Sequence, residues 1–81
     1  MRVDKYLKNS RLIKRRTVAK EACDQGRIHI NDLPAKPGSV VKIGDIITLG
    51  FAAKSIKVEV LDLKEHVRKE EAADMYRQLQ D

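Results

Sequence analysis

The sequence predicts an α+β domain in which two short helices precede a small set of strands and a last helix closes the chain. Three observations predict it. Apolar residues recur at helical spacing as far as Gly26. From Arg27 onward they alternate with polar ones, the period of a strand. Helical spacing returns at Ala72, Tyr76 and Leu79.

The first helix is expected from Val3 to about Lys8, because Val3, Tyr6 and Leu7 fall on one face at i, i+3 and i+4. Asn9-Ser10 ends it, and Leu12-Ile13 reads as a buried anchor in the connection. The second helix is expected from about Arg16 to Gln25. Val18 with Ala22, and Ala19 with Cys23, form adjacent i, i+4 rows on its inner face. Gly26 stands where a left-handed C-terminal cap is wanted.

Ile28 and Ile30 alternate with Arg27, His29 and Asn31 in a first strand, and Asn31-Asp32 forms a turn. Pro34, Pro37 and Gly38 make residues 34–39 irregular. Gly44-Asp45 turns the chain into a strand at Ile46-Ile47-Thr48-Leu49. Ile56, Val58 and Val60 alternate in another strand, and Leu61 and Leu63 break the parity, which predicts a bulge or strand end there. Ala72, Tyr76 and Leu79, with Met75 beside them, define the amphipathic last helix.

Eighty-one residues make one small domain with a modest core. One Cys excludes an intramolecular disulfide, and no Cys/His set has the makings of a structural zinc site. The longest apolar run, Phe51-Ala52-Ala53, is far too short for a membrane span or a signal-peptide core. A cytoplasmic protein that does not engage membranes is expected.

Charge is distributed unevenly. Residues 1–31 hold nine Lys or Arg against three acids, a net +6, while residues 32–81 hold eight against nine, a net −1. A near-neutral body thus carries a concentrated cationic module, the electrostatic footprint of a polyanion binder. Lys5 and Lys8 lie on the first helix away from Val3 and Leu7, Arg11 sits in the connection, and Lys14-Arg15-Arg16 opens the second helix. Cations at a helix N-terminus oppose its dipole and cost about 0.3–1 kcal/mol each when exposed. Bound phosphate reverses that sign, since helix N–H groups and guanidinium groups then favour the same anion. A solvated charge run, DNA, a phosphorylated ligand, acidic lipid or an acidic protein surface are alternative readings of the same charges. The outward Glu21 and Asp24 of the second helix would be poor neighbours for a major-groove phosphate channel. The short first helix offers no spare apolar face for a membrane. Structured RNA, recognised through backbone and shape, fits best.

Arg2-x-Asp4-Lys5-x-Leu7, Ser10-Arg11-Leu12-Ile13-Lys14-Arg15-Arg16, Ala19, Gly26-Arg27-Ile28-x-Ile30-Asn31 and Val41-x-x-Gly44-Asp45 together resemble the S-four, or alpha-L, RNA-binding domain. The resemblance implies two helices carrying an RNA-binding face, packed on a small, strongly bent sheet. The Lys-Arg-Arg run and the tail Lys69-Glu70-Glu71-Ala72-Ala73-x-Met75-Tyr76 are similar to the RqcP family, small bacterial S-four proteins of ribosome-associated quality control. The related small heat-shock S-four proteins usually carry a helix-capping Thr where this chain has Arg15, and Arg15 agrees with the RqcP pattern. The expected organisation is an S-four-like domain over residues 1–65 and a helical extension over residues 66–81.

RqcP proteins are adaptors of stalled, split large ribosomal subunits. The resemblance implies binding to large-subunit rRNA and peptidyl-tRNA, and support for alanine tailing of the nascent chain with a partner, RqcH. It carries over Arg2, Lys5, Arg11, Lys14, Arg15 and Arg16 as candidate RNA contacts and Asp4 as their organiser. From the residues alone, Asp4 has two readings: a pair with Lys8 at i+4, or a brace for Arg2 or a second-helix arginine.

No arrangement with catalytic spacing is visible, so neither enzyme activity nor a cofactor is expected. His29 should face outward from its strand, His66 should be a connector, and Cys23 and Tyr6 should pack in the core. A stand-alone assembly protein, with the basic face on an acidic protein surface, is the alternative from a different functional class.

Overall fold

Val3, Tyr6 and Leu7 are fully buried along one side of α1 (Val3–Asn9), as their spacing predicts. The computed structural model describes residues 1–79. Ser10 ends α1, and its buried hydroxyl donates to the Leu7 carbonyl at 3.2 Å. The connection then dips into the core at Ile13, with Leu12 packed beside it.

The second helix, α2 (Arg16–Asp24), turns Ala19, Ala22 and Cys23 inward. Small side chains let it lie against α1. Val18, expected on this inner face, is instead 45% exposed. The buried stripe is narrower than the sequence suggests, because i, i+3 and i+4 from Ala19 already fill the contact. Gly26 ends the helix at φ +75°, the left-handed conformation in which a β-carbon is disfavoured.

Five antiparallel strands follow, in the order β2-β1-β3-β4-β5. They are β1 (Ile28–Ile30), β2 (Leu33–Pro34), β3 (Ile46–Phe51), β4 (Lys54–Val60) and β5 (Tyr76–Leu79). Asn31 and Asp32 both take positive φ, 51° and 67°, as a two-residue hairpin of matching twist requires. That hairpin pairs His29 with Pro34, so β2 occupies two residues at the edge of the stretch expected to be irregular. Ile28 lies opposite Leu49, which lies opposite Ile56; Ile30 lies opposite Ile47, which lies opposite Val58. These rows form the apolar face that meets the helices. β4 ends at Val60, just before the parity break at Leu61.

The C-terminal segment corrects the sequence reading in part. Lys69–Met75 is a 3₁₀ helix with Ala72 and Met75 buried at i, i+3. Tyr76 and Leu79 do not continue it. The backbone becomes extended at Tyr76, and β5 adds to the free edge of β4, with Val60 opposite Tyr76 and Lys57 opposite Leu79. Over so few residues helical spacing and strand alternation are hard to tell apart, and an open edge of backbone donors and acceptors decides the outcome. The Tyr6 hydroxyl, buried beneath this segment, donates to the Met75 carbonyl at 2.7 Å. The α+β class and the helices-first order are as predicted.

Candidate nucleic-acid interface

Asp4 sits on the first turn of α1 among Val3, Tyr6 and Leu7 and is fully buried. An isolated buried carboxylate is costly, so its partners decide whether the fold tolerates it. Its Oδ1 accepts the Lys5 backbone N–H at 2.8 Å. Its Oδ2 lies 3.1 Å from Arg2 Nη2 and 3.3 Å from Arg16 Nε, while Arg16 Nη2 reaches Oδ1 at 3.4 Å. Of the two roles open to Asp4, the brace is observed, and the partner is not Lys8.

Burial pushes the Asp4 carboxyl upward. The Arg16 hydrogen bond, the Lys5 N–H and the charges of Arg16 and Arg2 more than offset this, and the group is held below its ordinary range. The side chains of Arg2 and Arg16 remain 51% and 42% exposed. One carboxylate therefore fixes two guanidinium groups and neutralises only one of them. Each guanidinium carries five N–H donors, so several are left for an outside anion.

The backbone places Arg2 as firmly as Asp4 places its side chain. Arg2 bridges to Val40, and the Val3 N–H donates to the Ser39 carbonyl at 2.7 Å. The 37–41 segment thus runs beside the N-terminus. Arg16 is the first residue of α2. Arg15, its N-cap, is exposed and provides no side-chain cap, and the first turn contains no acid. The α2 N-terminus is therefore cationic and uncapped, as predicted.

The other expected contacts lie elsewhere. Lys5 is paired with Glu65, and that hydrogen bond, with the lysine charge, holds the Glu65 carboxyl below its ordinary range. Arg11 and Lys14 line a cleft with Lys8, which the sequence placed in the basic module but not among the contacts. The structure thus brings together Arg2, Asp4 and Arg16, gathers Arg11 and Lys14 in a neighbouring cleft, and turns Lys5 toward an acid sixty residues away. Its ion pair could not be read from the local pattern. Cys23 is buried and its thiol is pushed up to about 11, chiefly by burial, which suits packing and not nucleophilic chemistry. Among the described residues, no His/Cys/Asp/Glu group has the arrangement of a metal site, and no helix is long and apolar enough to cross a membrane.

Residues 1–47, which hold every candidate contact, match the S4 domain family model. The chain belongs to the S4-domain family. S4 domains bind RNA, and this one extends beyond the matched region through β4, the 3₁₀ helix and β5. Among its relatives, two carry the name RQC P-site tRNA stabilizing factor. The one from Bacillus subtilis is 59% identical over 94% of this chain and 88% of its own length. The one from Halalkalibacterium halodurans is 58% identical over 94% of this chain and 86% of its own. The RqcP resemblance is thus shown at the level of family. The trimeric structure of Vibrio cholerae Heat Shock Protein 15 superposes with a TM-score of 0.89 at 31% identity, covering 98% of this chain and 81% of that one. The S4 fold is therefore common to both groups.

Proposed function

We propose that this S4-domain protein is a non-enzymatic RNA-binding adaptor of bacterial ribosome-associated quality control. It binds large-subunit rRNA and peptidyl-tRNA together on stalled, split large subunits in the cytoplasm. By holding the tRNA it supports alanine tailing of the nascent chain with RqcH. Arg2, Lys5, Arg11, Lys14, Arg15 and Arg16 are the proposed contacts, with Asp4 as organiser, and no metal or cofactor takes part.

One observation carries this reading: the buried Asp4 carboxylate bracing two half-exposed guanidinium groups beside an uncapped cationic helix start. That arrangement suits a rigid phosphate backbone better than a flexible partner, because the donors are fixed before binding. The names and high identity of its relatives support the choice of ribosomal RNA and tRNA over other polyanions.

Binding to isolated large subunits tests the proposal. Neutralising about four to six phosphates gives a slope of log K against log salt of roughly −3 to −5. RNase treatment should abolish the association. Salt-independent binding, or binding that survives RNase, would contradict it and favour an acidic protein surface.

A further inference from the structure

Both helices end in a left-handed residue, but they use different ones. α2 uses Gly26 at φ +75°, whereas α1 uses Arg11 at φ +62°. A side chain is disfavoured in that conformation, and Gly is the usual occupant. The Arg11 N–H donates to the Lys8 carbonyl at 3.0 Å, and the Ile13 N–H to the Leu7 carbonyl at 3.1 Å, which hold the backbone there. The fold keeps an arginine where glycine would fit more easily, and its side chain lines a cleft of about 460 Å³.

Lys8, Arg11 and Lys14 line the cleft. His66 and Val67, from a segment beyond the S4 match, line it as well. Asn9 ties that segment to α1 by donating its Nδ2 to the carbonyls of Lys64 and Glu65, at 3.0 and 3.3 Å. Glu65 also borders the cleft, but its carboxylate is already paired with Lys5. Lys8, Arg11 and Lys14 make no ion pair among the described residues. The cleft therefore joins three uncompensated cations to an imidazole and an aliphatic surface. Its volume falls within the range of about 300–1,000 Å³ in which proteins enclose small ligands.

Backbone phosphates alone would need only the cations. We propose that the cleft receives one unstacked nucleotide of the bound RNA, its phosphate among Lys8, Arg11 and Lys14 and its ribose and base against His66 and Val67. The inference rests on the RNA-binding reading above and adds to it a preference for RNA carrying an extruded nucleotide. Single unpaired bases are what side chains can enclose, since paired bases are hidden in a helix.

The test compares two RNA hairpins, one with a single bulged nucleotide and one fully paired, binding to the full chain and to its His66→Ala and Arg16→Ala variants. His66→Ala should weaken the bulged hairpin about five-fold or more, the lower range of a stacking contact, and the paired hairpin less than two-fold. Arg16→Ala should weaken both. The Val67 methyl and His66 ring resonances should shift on adding the bulged hairpin and not on adding an oligoglutamate peptide. Equal effects of His66→Ala on both hairpins, no effect on either, or the same shifts with oligoglutamate overturn the nucleotide cleft while leaving RNA binding intact. Failure of the unaltered chain to bind either hairpin overturns both readings.

Discussion

Asp4 and Arg16, twelve residues apart and on different helices, are joined at both carboxylate oxygens: Nε lies 3.3 Å from Oδ2 and Nη2 3.4 Å from Oδ1. The pair ties α1 to the start of α2 and aims the remaining arginine donors outward. Under the proposed function, folding and anion binding share one carboxylate, and titration or substitution of that group should be felt in both.

The pH dependence follows from the lowered Asp4 carboxyl. A carboxylate whose folded pKa lies below its unfolded value contributes stability in full above that value and loses it as pH falls through the folded one. The ordinary value is 3.8. The stability advantage of the unaltered chain over Asp4→Asn should stay constant from neutral pH down to about 5 and shrink only below about 4. Thermal melts of both proteins across this range check it. An advantage that disappears between pH 7 and 5 would contradict it.

Arg11→Gly should separate folding from binding. Relief of the left-handed strain is worth roughly 1 kcal/mol, partly offset by the greater freedom of Gly in the unfolded chain. Stability should be unchanged or slightly raised, while RNA affinity falls. Melting curves and a hairpin binding assay read the two effects. A large loss of stability would show that the Arg11 side chain serves the fold.

Tyr6→Phe removes the hydroxyl bonded to the Met75 carbonyl. That carbonyl also accepts the Leu61 N–H at 2.9 Å, so it is not left orphaned. The cost should be about 0.5–1.5 kcal/mol, with faster amide exchange in β5 and unchanged RNA binding. Native-state hydrogen exchange measures this directly.

The elements legible in the sequence were those set by local chemistry. Gly26 marked a helix end, Asn31-Asp32 marked a turn, and the alternation around Ile28 and Val58 marked the core face. What escaped depended on partners distant in the chain. The edge of β4 converted Tyr76–Leu79 to a strand, Glu65 took Lys5, and residues 65–67 came to line one cleft with Arg11. The Arg2–Asp4–Arg16 cluster was half legible, since an acid among cations is conspicuous, but its choice of Arg16 over Lys8 required the crossing of two helices.

Arg16→Ala should cost about 1.5–3 kcal/mol of binding to large subunits, the scale of a hydrogen bond to a charged group. Stability should change by no more than about 1 kcal/mol, because Asp4 keeps Arg2 and the Lys5 N–H, and Ala improves the start of the helix. Co-sedimentation alongside circular dichroism melting checks both values. Unchanged binding by the folded variant would remove Arg16 from the site.

The most direct measurement is the affinity of folded Asp4→Asn protein for isolated large subunits at fixed salt. The substitution raises the net charge by one while releasing the brace on Arg2 and Arg16. An organised site requires weaker binding despite the added positive charge, by about five-fold or more if one charge-assisted contact is lost. Equal or tighter binding would show a diffuse cationic surface and contradict the assignment of Asp4 as its organiser.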